Sequence, residues 1–137
     1  MSDNHVLVVE DEETIRDLLL NVLEEKGYQV RVAETAEKGL AMLWNFNPAV
    51  ALLDIMLPGM NGLQFLREVK AISPDTEVIV MTAQSTPERV QEAMANGAFA
   101  FLEKPFTDLE ALWKTVNRAM QRRDEIQNGR VTLVELE

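Results

Sequence analysis

Five short apolar segments alternate with five amphipathic segments, and this alternation constrains the fold more than any other feature of the sequence. The apolar segments are strand candidates because most are short and uninterrupted by polar residues, as in strands that are buried on both faces. They cover residues 5–9, 28–33, 50–54, 78–81 and 99–102. Alternation of such strands with helices predicts a single α/β domain in which a doubly wound, five-stranded parallel sheet carries helices on both faces.

The helix candidates carry apolar residues at spacings of three and four positions, and several begin at a residue type that caps helices. We expect Thr14 to cap the first helix, Thr35 to open the second, and Thr107 or Asp108 to cap the last. The apolar faces of the second and fourth helices are predicted to consist of Ala36, Leu40, Leu43, Trp44, Val90, Ala93 and Met94. Gly27 is expected to end the first helix.

Composition excludes several classes of function. The formal net charge of −10 in 137 residues argues against sequence-independent binding to nucleic acid. The absence of cysteine excludes disulfides, thiolate metal sites and Cys nucleophiles. The N-terminal residues lack a signal-peptide pattern, and no apolar stretch approaches the length of a membrane helix. We therefore expect a cytoplasmic protein that does not enter a membrane.

Polar side chains follow four of the five predicted strands at the point where each strand ends. Glu10 and Asp11 follow the first strand, Asp54 ends the third, Thr82 follows the fourth and Lys104 the fifth. Each residue alone has a structural explanation, since acids favour helix N-termini and Asp is common in turns. Because the carboxyl ends of parallel strands meet at one edge of the sheet, we expect all five residues to converge there.

This set of side chains fits one chemistry. Crowded carboxylates repel one another unless a cation lies among them, and a set of oxygen ligands suits Mg²⁺. An Asp carboxylate can act as a nucleophile and form an aspartyl phosphate. Lys104 and the Thr82 hydroxyl would add to charge neutralisation during phosphoryl transfer. The residues therefore predict magnesium-dependent phosphorylation of Asp54.

Four short motifs at these strand ends resemble the receiver domain of two-component response regulators. The motifs are Val8–Glu12, Leu53–Gly59, Val80–Ala83 and Glu103–Phe106. The resemblance extends from about residue 5 to residue 122. It implies a flavodoxin-like (βα)5 fold with strand order 2-1-3-4-5. It also implies that a sensor histidine kinase or a phosphotransfer protein is the partner, that the first helix docks this partner, and that the phosphorylated form can become a homodimer.

The resemblance also implies a role for each matching residue. Asp54 matches the phosphoryl acceptor. The implied Mg²⁺ ligands, which could also hold Mn²⁺, are Asp11, Asp54, the backbone carbonyl of Met56 and, through water, Glu10. Thr82 and Lys104 match the residues that hold the phosphoryl oxygens. Thr82 and Phe101 match the switch pair, which would alter the face formed by the fourth helix, fifth strand and fifth helix.

Two alternatives share parts of this site. A haloacid-dehalogenase-like phosphatase also uses a strand-end Asp, but it needs a second acid two residues later, where this chain has Met56. A pseudo-receiver would act without phosphorylation. The complete set of site residues in this chain disfavours that interpretation. We therefore expect a switch in a phosphorelay or a transcription-control pathway, or a single-domain regulator, and not an enzyme beyond self-phosphorylation and slow self-dephosphorylation. The predicted organisation is a receiver over residues 1–122 and a helical extension or tail over 123–137.

Overall fold

The computed structural model describes residues 4–56, 61–83 and 85–127. In this part of the chain, five strands form one parallel sheet in the order β2-β1-β3-β4-β5. The strands are β1 His5–Val9, β2 Gln29–Ala33, β3 Val50–Asp54, β4 Glu77–Thr82 and β5 Ala98–Glu103. The helices are α1 Glu13–Glu25, α2 Ala36–Phe46, α3 Gly62–Ile72, α4 Pro87–Ala95 and α5 Leu109–Gln127. The predicted doubly wound α/β fold and its strand order are confirmed.

Both faces of the sheet are covered, which explains why the central strands are apolar throughout. Successive residues of a strand point to opposite faces. Leu7 and Val9 of β1 therefore belong to a cluster with side chains of α2, α3 and α4, whereas Val6 and Val8 pack with side chains of α1 and α5. All residues of β3 and β4 are buried. The strand β2 lies at the sheet edge and alternates between exposed and less exposed residues.

Three sequence-based predictions about the helices are wrong. Thr14 does not cap α1, because the helix begins at Glu13 and Glu12 occupies the N-cap position without a side-chain hydrogen bond. Trp44 does not face the sheet: its exposed fraction is 73%. The position of Trp44 fits the apolar spacing of α2, but the neighbouring residue Leu43 is the one that is buried. Met94 of α4 is likewise exposed.

The last helix is continuous from Leu109 to Gln127. Its start agrees with the second of the two predicted caps, since Oδ1 of Asp108 accepts a hydrogen bond from the backbone N–H of Ala111 at 3.0 Å. The boundary between domain and extension at residue 122 stays a prediction, and residues 128–137 of the predicted tail lie outside the described residues. None of the helices in the described ranges has the length and hydropathy needed to cross a bilayer.

Two threonine substitutions test the corrected start of α1. The Thr35 hydroxyl accepts a hydrogen bond from the backbone N–H of Lys38 and caps α2. We expect Thr35→Ala to lower the free energy of unfolding by about 1 kcal/mol, the usual contribution of such a cap. Thr14→Ala should change it by less than about 0.5 kcal/mol, because Thr14 is an exposed residue inside the helix. Urea denaturation of both variants measures the difference, and equal losses would contradict this description of α1.

Candidate functional site

Three carboxylates meet at the carboxyl edge of the sheet. Glu10 directly follows β1, Asp11 comes next, and Asp54 is the last residue of β3. One carboxylate oxygen from each of the three lies within 4.8 Å of the others. Glu10 is fully buried and Asp54 is 4% exposed, whereas Asp11 is exposed to solvent. The parallel strands thus bring together the three acids that the sequence placed at this edge.

Lys104 supplies the positive charge of the site. Its Nζ donates a hydrogen bond to Oδ2 of Asp54 at 2.8 Å and forms an ion pair with Oε1 of Glu10. The Lys104 side chain is almost completely buried. Its backbone is fixed by β4, because the N–H of Lys104 donates to the carbonyl of Thr82 at 2.9 Å. Lys104 therefore bridges two of the three carboxylates from the end of β5.

Backbone N–H groups complete the hydrogen bonding of the two buried acids. The N–H of Met56 donates to Oδ1 of Asp54 at 2.8 Å, and the N–H of Glu12 donates to Oε2 of Glu10 at 3.1 Å. The guanidinium of Arg16 donates to the backbone carbonyls of Glu10 and Asp11 at 3.0 and 2.9 Å. These bonds fix the two loops that carry the carboxylates, so their geometry is set before any ligand binds.

The pKa values of the buried groups reflect a competition between burial and pairing. Burial raises the pKa of Glu10 to about 7, although the hydrogen bonds from Lys104 and Glu12 act in the opposite direction. Burial also disfavours the charged form of Lys104, but hydrogen bonds to Asp54 and Glu10 outweigh it and raise its pKa. When all three acids are ionised, the cluster with Lys104 has a net charge of −2. A divalent cation would neutralise this charge.

The residues present fit Mg²⁺. Every candidate ligand is an oxygen, and no His or Cys lies in the cluster. Asp11 offers an exposed carboxylate for direct contact. The oxygens of Glu10 and of Asp54 are engaged by Lys104 and by backbone N–H groups, so a bound ion would have to share them. Contact between Glu10 and the ion through water stays a prediction. The backbone carbonyl of Met56, the fourth expected ligand, stays a prediction.

The two residues of the predicted switch lie on adjacent strands. Thr82 is fully buried at the end of β4, and Phe101 is partly buried in β5. In the strand register Val80 pairs with Phe101 and Thr82 pairs with Glu103. Because side chains alternate between faces, Thr82 and Phe101 are on the same face, two positions apart. Phe101 packs against the cluster that includes side chains of α2, α3 and α4.

A contact between α4 and the loop after β3 was not predicted from the sequence. The guanidinium of Arg89 lies 3.6 Å from the Met56 sulfur. Arg89 and Met56 line the same open cleft of about 370 Å³. Within the described ranges, the cleft is also lined by Ile55, Asn61, Gly62, Leu63 and Glu92. The apolar spacing of the sequence predicts α4. It does not relate Arg89 to Met56, which lies 33 positions earlier in the chain.

Comparison with known proteins identifies the family to which this geometry belongs. Residues 6–117 match the family model of the response regulator receiver domain. Sporulation initiation phosphotransferase F of Bacillus subtilis is 33% identical over 86% of this chain and 94% of its own length. The regulatory protein AtoC of Escherichia coli is 36% identical over 86% of this chain. The chain spans only 25% of AtoC, so it corresponds to one part of that longer relative.

Solved structures agree with this result. A CheY-like response regulator receiver domain protein from Methanospirillum hungatei JF-1 has a TM-score of 0.85 and 30% identity, covering 90% of this chain and 98% of that one. The beryllofluoride-activated NtrC4 receiver domain dimer has a TM-score of 0.83 and 35% identity, covering 88% and 98%. The expected resemblance is therefore confirmed, and the chain belongs to the response regulator receiver domain family.

Proposed function

We propose that Asp54 accepts a phosphoryl group in a magnesium-dependent reaction and that the domain works as a phosphorylation-dependent switch. The observation that carries the proposal is the buried Asp54–Lys104 pair inside a three-carboxylate cluster at the carboxyl edge of the sheet. The carboxylate of Asp54 is an oxygen nucleophile that can form an aspartyl phosphate, and the Lys104 ammonium lies beside it. It needs no general base, since a carboxylate is already deprotonated at neutral pH.

The groups around Asp54 suit an incoming phosphoryl group. The Met56 N–H and the Lys104 ammonium already donate to the two oxygens of Asp54, so small movements would bring both donors to phosphoryl oxygens. The Thr82 hydroxyl would be a third donor from the end of β4. Phosphoryl transfer depends mainly on such positioning and on charge stabilisation. Lys104 would exchange a carboxylate partner for a phosphoryl oxygen and stay paired throughout.

Asp11, Asp54, the Met56 carbonyl and, through water, Glu10 are the groups that would hold Mg²⁺. When bound, the ion would supply positive charge against the phosphoryl oxygens. The acids themselves position the site: Glu10 forms an ion pair with Lys104, and Asp11 is exposed to solvent. Mn²⁺, which also accepts oxygen ligands, would substitute.

The switch would run from Thr82 to Phe101. If the Thr82 hydroxyl moves towards a phosphoryl group, it vacates space on the face that it shares with Phe101, and the aromatic ring can turn inward. The surface formed by α4, β5 and α5 would then change, because Phe101 packs on the side of the sheet that α4 covers. Phosphorylation would act as a local change of charge that shifts the population of two conformations.

A sensor histidine kinase or a phosphotransfer protein would be the donor, in a cytoplasmic phosphorelay or transcription-control pathway. The activated NtrC4 relative forms a dimer, which supports a phosphorylation-dependent homodimer here. The domain would not turn over free phosphoesters, because the exposed Met56 side chain cannot transfer a proton. Met56 also offers no polar side-chain group that could orient a water, so self-dephosphorylation should be slow. We retain the receiver organisation over residues 1–122, with 123–137 as an extension.

Labelling of the intact protein tests the proposal. With phosphoramidate and Mg²⁺, we expect a mass increase of one phosphoryl group, lost on treatment with hydroxylamine and mapped to the peptide that contains Asp54. Removing the metal with EDTA should reduce labelling by about a hundredfold or more, since the carboxylates would then repel the incoming anion. Labelling that is independent of the metal, or that maps to another residue, would refute the proposed site.

A further inference from the structure

Arg16 joins the start of α1 to the loop that carries two of the three acids. Its Nη1 donates hydrogen bonds to the backbone carbonyls of Glu10 and Asp11 at 3.0 and 2.9 Å. The backbone of Arg16 is itself fixed in the helix, because its N–H donates to the carbonyl of Glu12 at 3.0 Å. Consecutive carbonyls of an extended strand point in opposite directions. Two consecutive carbonyls on one nitrogen therefore require a bend in the chain, and Asp11 lies in that bend.

The carboxylate of Asp11 differs from the other two in how it is held. Glu10 and Asp54 are fixed by Lys104 and by backbone N–H groups. Within residues 4–56, 61–83 and 85–127, the Asp11 side chain has no hydrogen-bond or ion-pair partner, and it is exposed to solvent. One of its oxygens nevertheless lies within 4.8 Å of oxygens of the two buried acids. The direction of this side chain is therefore set by its backbone, which Arg16 holds.

The stability of α1 does not account for an arginine at this position. A cation in the first turn of a helix opposes the helix dipole. Arg16 is also partly buried, and ordering its long side chain costs conformational entropy. The two hydrogen bonds to the loop offset these costs. The arginine is thus explained by the loop that it holds and not by the helix that carries it.

We propose that Arg16 is a positioning residue for the metal site, and that it sets the affinity for Mg²⁺ by holding Asp11 close to the two buried acids. The inference rests on the proposed magnesium-dependent function of this cluster. An ion that meets a preoriented carboxylate does not have to order the loop when it binds. The hydrogen bonds of Arg16 go to the backbone of the loop, so its effect on the ion passes through Asp11.

The charge of Arg16 and its hydrogen bonds have opposite effects on cation binding. The positive charge of the guanidinium repels Mg²⁺, so removal of the charge alone would tighten binding. Release of the loop would weaken binding. Arg16→Gln removes the charge and the two bonds together. Arg16→Lys keeps the charge, but an ammonium does not reproduce the geometry of a planar guanidinium. Weaker binding in both variants therefore follows from the positioning role and not from the charge.

Titration of the intact protein with Mg²⁺, without a phosphoryl donor, tests the inference, and the amide resonances of Asp11 and Glu12 report binding. We expect Arg16→Gln to raise the Kd about tenfold, as for loss of a charge-assisted hydrogen bond, and Arg16→Lys to raise it about threefold. Arg67→Gln removes the same charge from an exposed position of α3 and should leave the Kd within about twofold. A tighter or unchanged Kd in Arg16→Gln would overturn the inference.

A double-mutant cycle with Asp11→Asn tests whether Arg16 acts through Asp11. If it does, Arg16→Gln should change the Kd of the Asp11→Asn protein by less than about twofold. A tenfold loss in both backgrounds would place the effect of Arg16 elsewhere and refute the inference. Urea denaturation in EDTA identifies the variants that are folded. If Arg16→Gln is not, Arg16→Lys decides, and an unchanged Kd in that variant counts against the inference.

Labelling by phosphoramidate separates positioning of the metal ligand from general damage to the site. At saturating Mg²⁺, the rate for Arg16→Gln should return to within about twofold of wild type, because weaker metal binding is then overcome by mass action. A rate that stays low would show a disrupted site and decide against the inference. Failure of the proposed function is distinguishable: wild type would then bind Mg²⁺ and take no label, while the Kd values would still decide the role of Arg16.

Discussion

Asp54→Asn is expected to abolish phosphoryl labelling, leaving less than about a hundredth of the wild-type signal with any donor. The amide oxygen of Asn carries no negative charge and cannot form a stable phosphoryl ester. The substitution is nearly isosteric, and Lys104 keeps its ion pair with Glu10, so we expect the fold to be retained. Intact-mass spectrometry after incubation with phosphoramidate and Mg²⁺ measures the result.

Two other aspartates supply controls for this experiment. Asp17 is an exposed residue of α1 outside the acid cluster, and Asp17→Asn should be labelled as wild type is. Asp11→Asn removes an expected metal ligand but keeps the acceptor, so labelling should slow and recover in part at higher Mg²⁺. Persistent labelling of Asp54→Asn would assign the acceptor to a different residue.

The same variant tests the switch. Beryllofluoride with Mg²⁺ mimics the phosphoryl group on an aspartate, and in wild type we expect it to shift amide resonances between Ala83 and Met120. Asp54→Asn should show none of these shifts, because it cannot hold the mimic. Wild-type spectra that remain unchanged at saturating beryllofluoride would contradict the proposed coupling between Asp54 and the α4–β5–α5 surface.

Gly62→Ala is expected to lower the free energy of unfolding by about 3 kcal/mol, at the upper end of the usual cost of overpacking. A Cβ at Gly62 would lie 2.3 Å from the carbonyl oxygen, 2.4 Å from Cβ and 2.5 Å from Cα of Ile55. Two of these three atoms belong to the backbone, so the clash cannot be relieved by rotating a side chain. The loop after β3 or the start of α3 has to move.

This movement should also impair the site. Ile55 lies between Asp54 and Met56, and the N–H of Met56 is bonded to the Asp54 carboxylate. Displacing Ile55 should therefore weaken that bond and slow labelling in molecules that remain folded. Chemical denaturation gives the stability, and labelling at a temperature well below the unfolding transition gives the rate.

Gly27→Ala is the matched control. Gly27 has φ of +92°, which is strained for alanine, but a Cβ there would meet no atom within 4 Å. We expect a loss of about 1 kcal/mol from backbone strain alone and no change in labelling. If Gly62→Ala were no more destabilising than Gly27→Ala, the close approach of Gly62 to Ile55 would not be a feature of the folded protein.

Much of the fold could be predicted because the central strands β1, β3 and β4 are buried on both faces. Such strands must be apolar throughout, as Val50–Leu53 is. This pattern is visible in the sequence even when the neighbouring strands and helices are not known. Helix ends were harder to predict. Thr14 and Thr35 are equally good caps as residue types, yet only Thr35 is bonded to a helical N–H. Which residue caps a helix depends on where the helix begins relative to the end of the preceding strand. That position is not encoded in the local sequence.

The sequence by itself determined which chemistry could occur at the sheet edge. Glu10, Asp11, Asp54, Thr82 and Lys104 each end or follow a strand, and parallel topology brings strand ends together. Only the tertiary structure decided how these groups are paired. Lys104 bridges Asp54 and Glu10, and burial then raises the pKa of Glu10. It also decided that Arg89 contacts Met56, because packing of α4 against the loop after β3 creates a contact that no repeat in the sequence records.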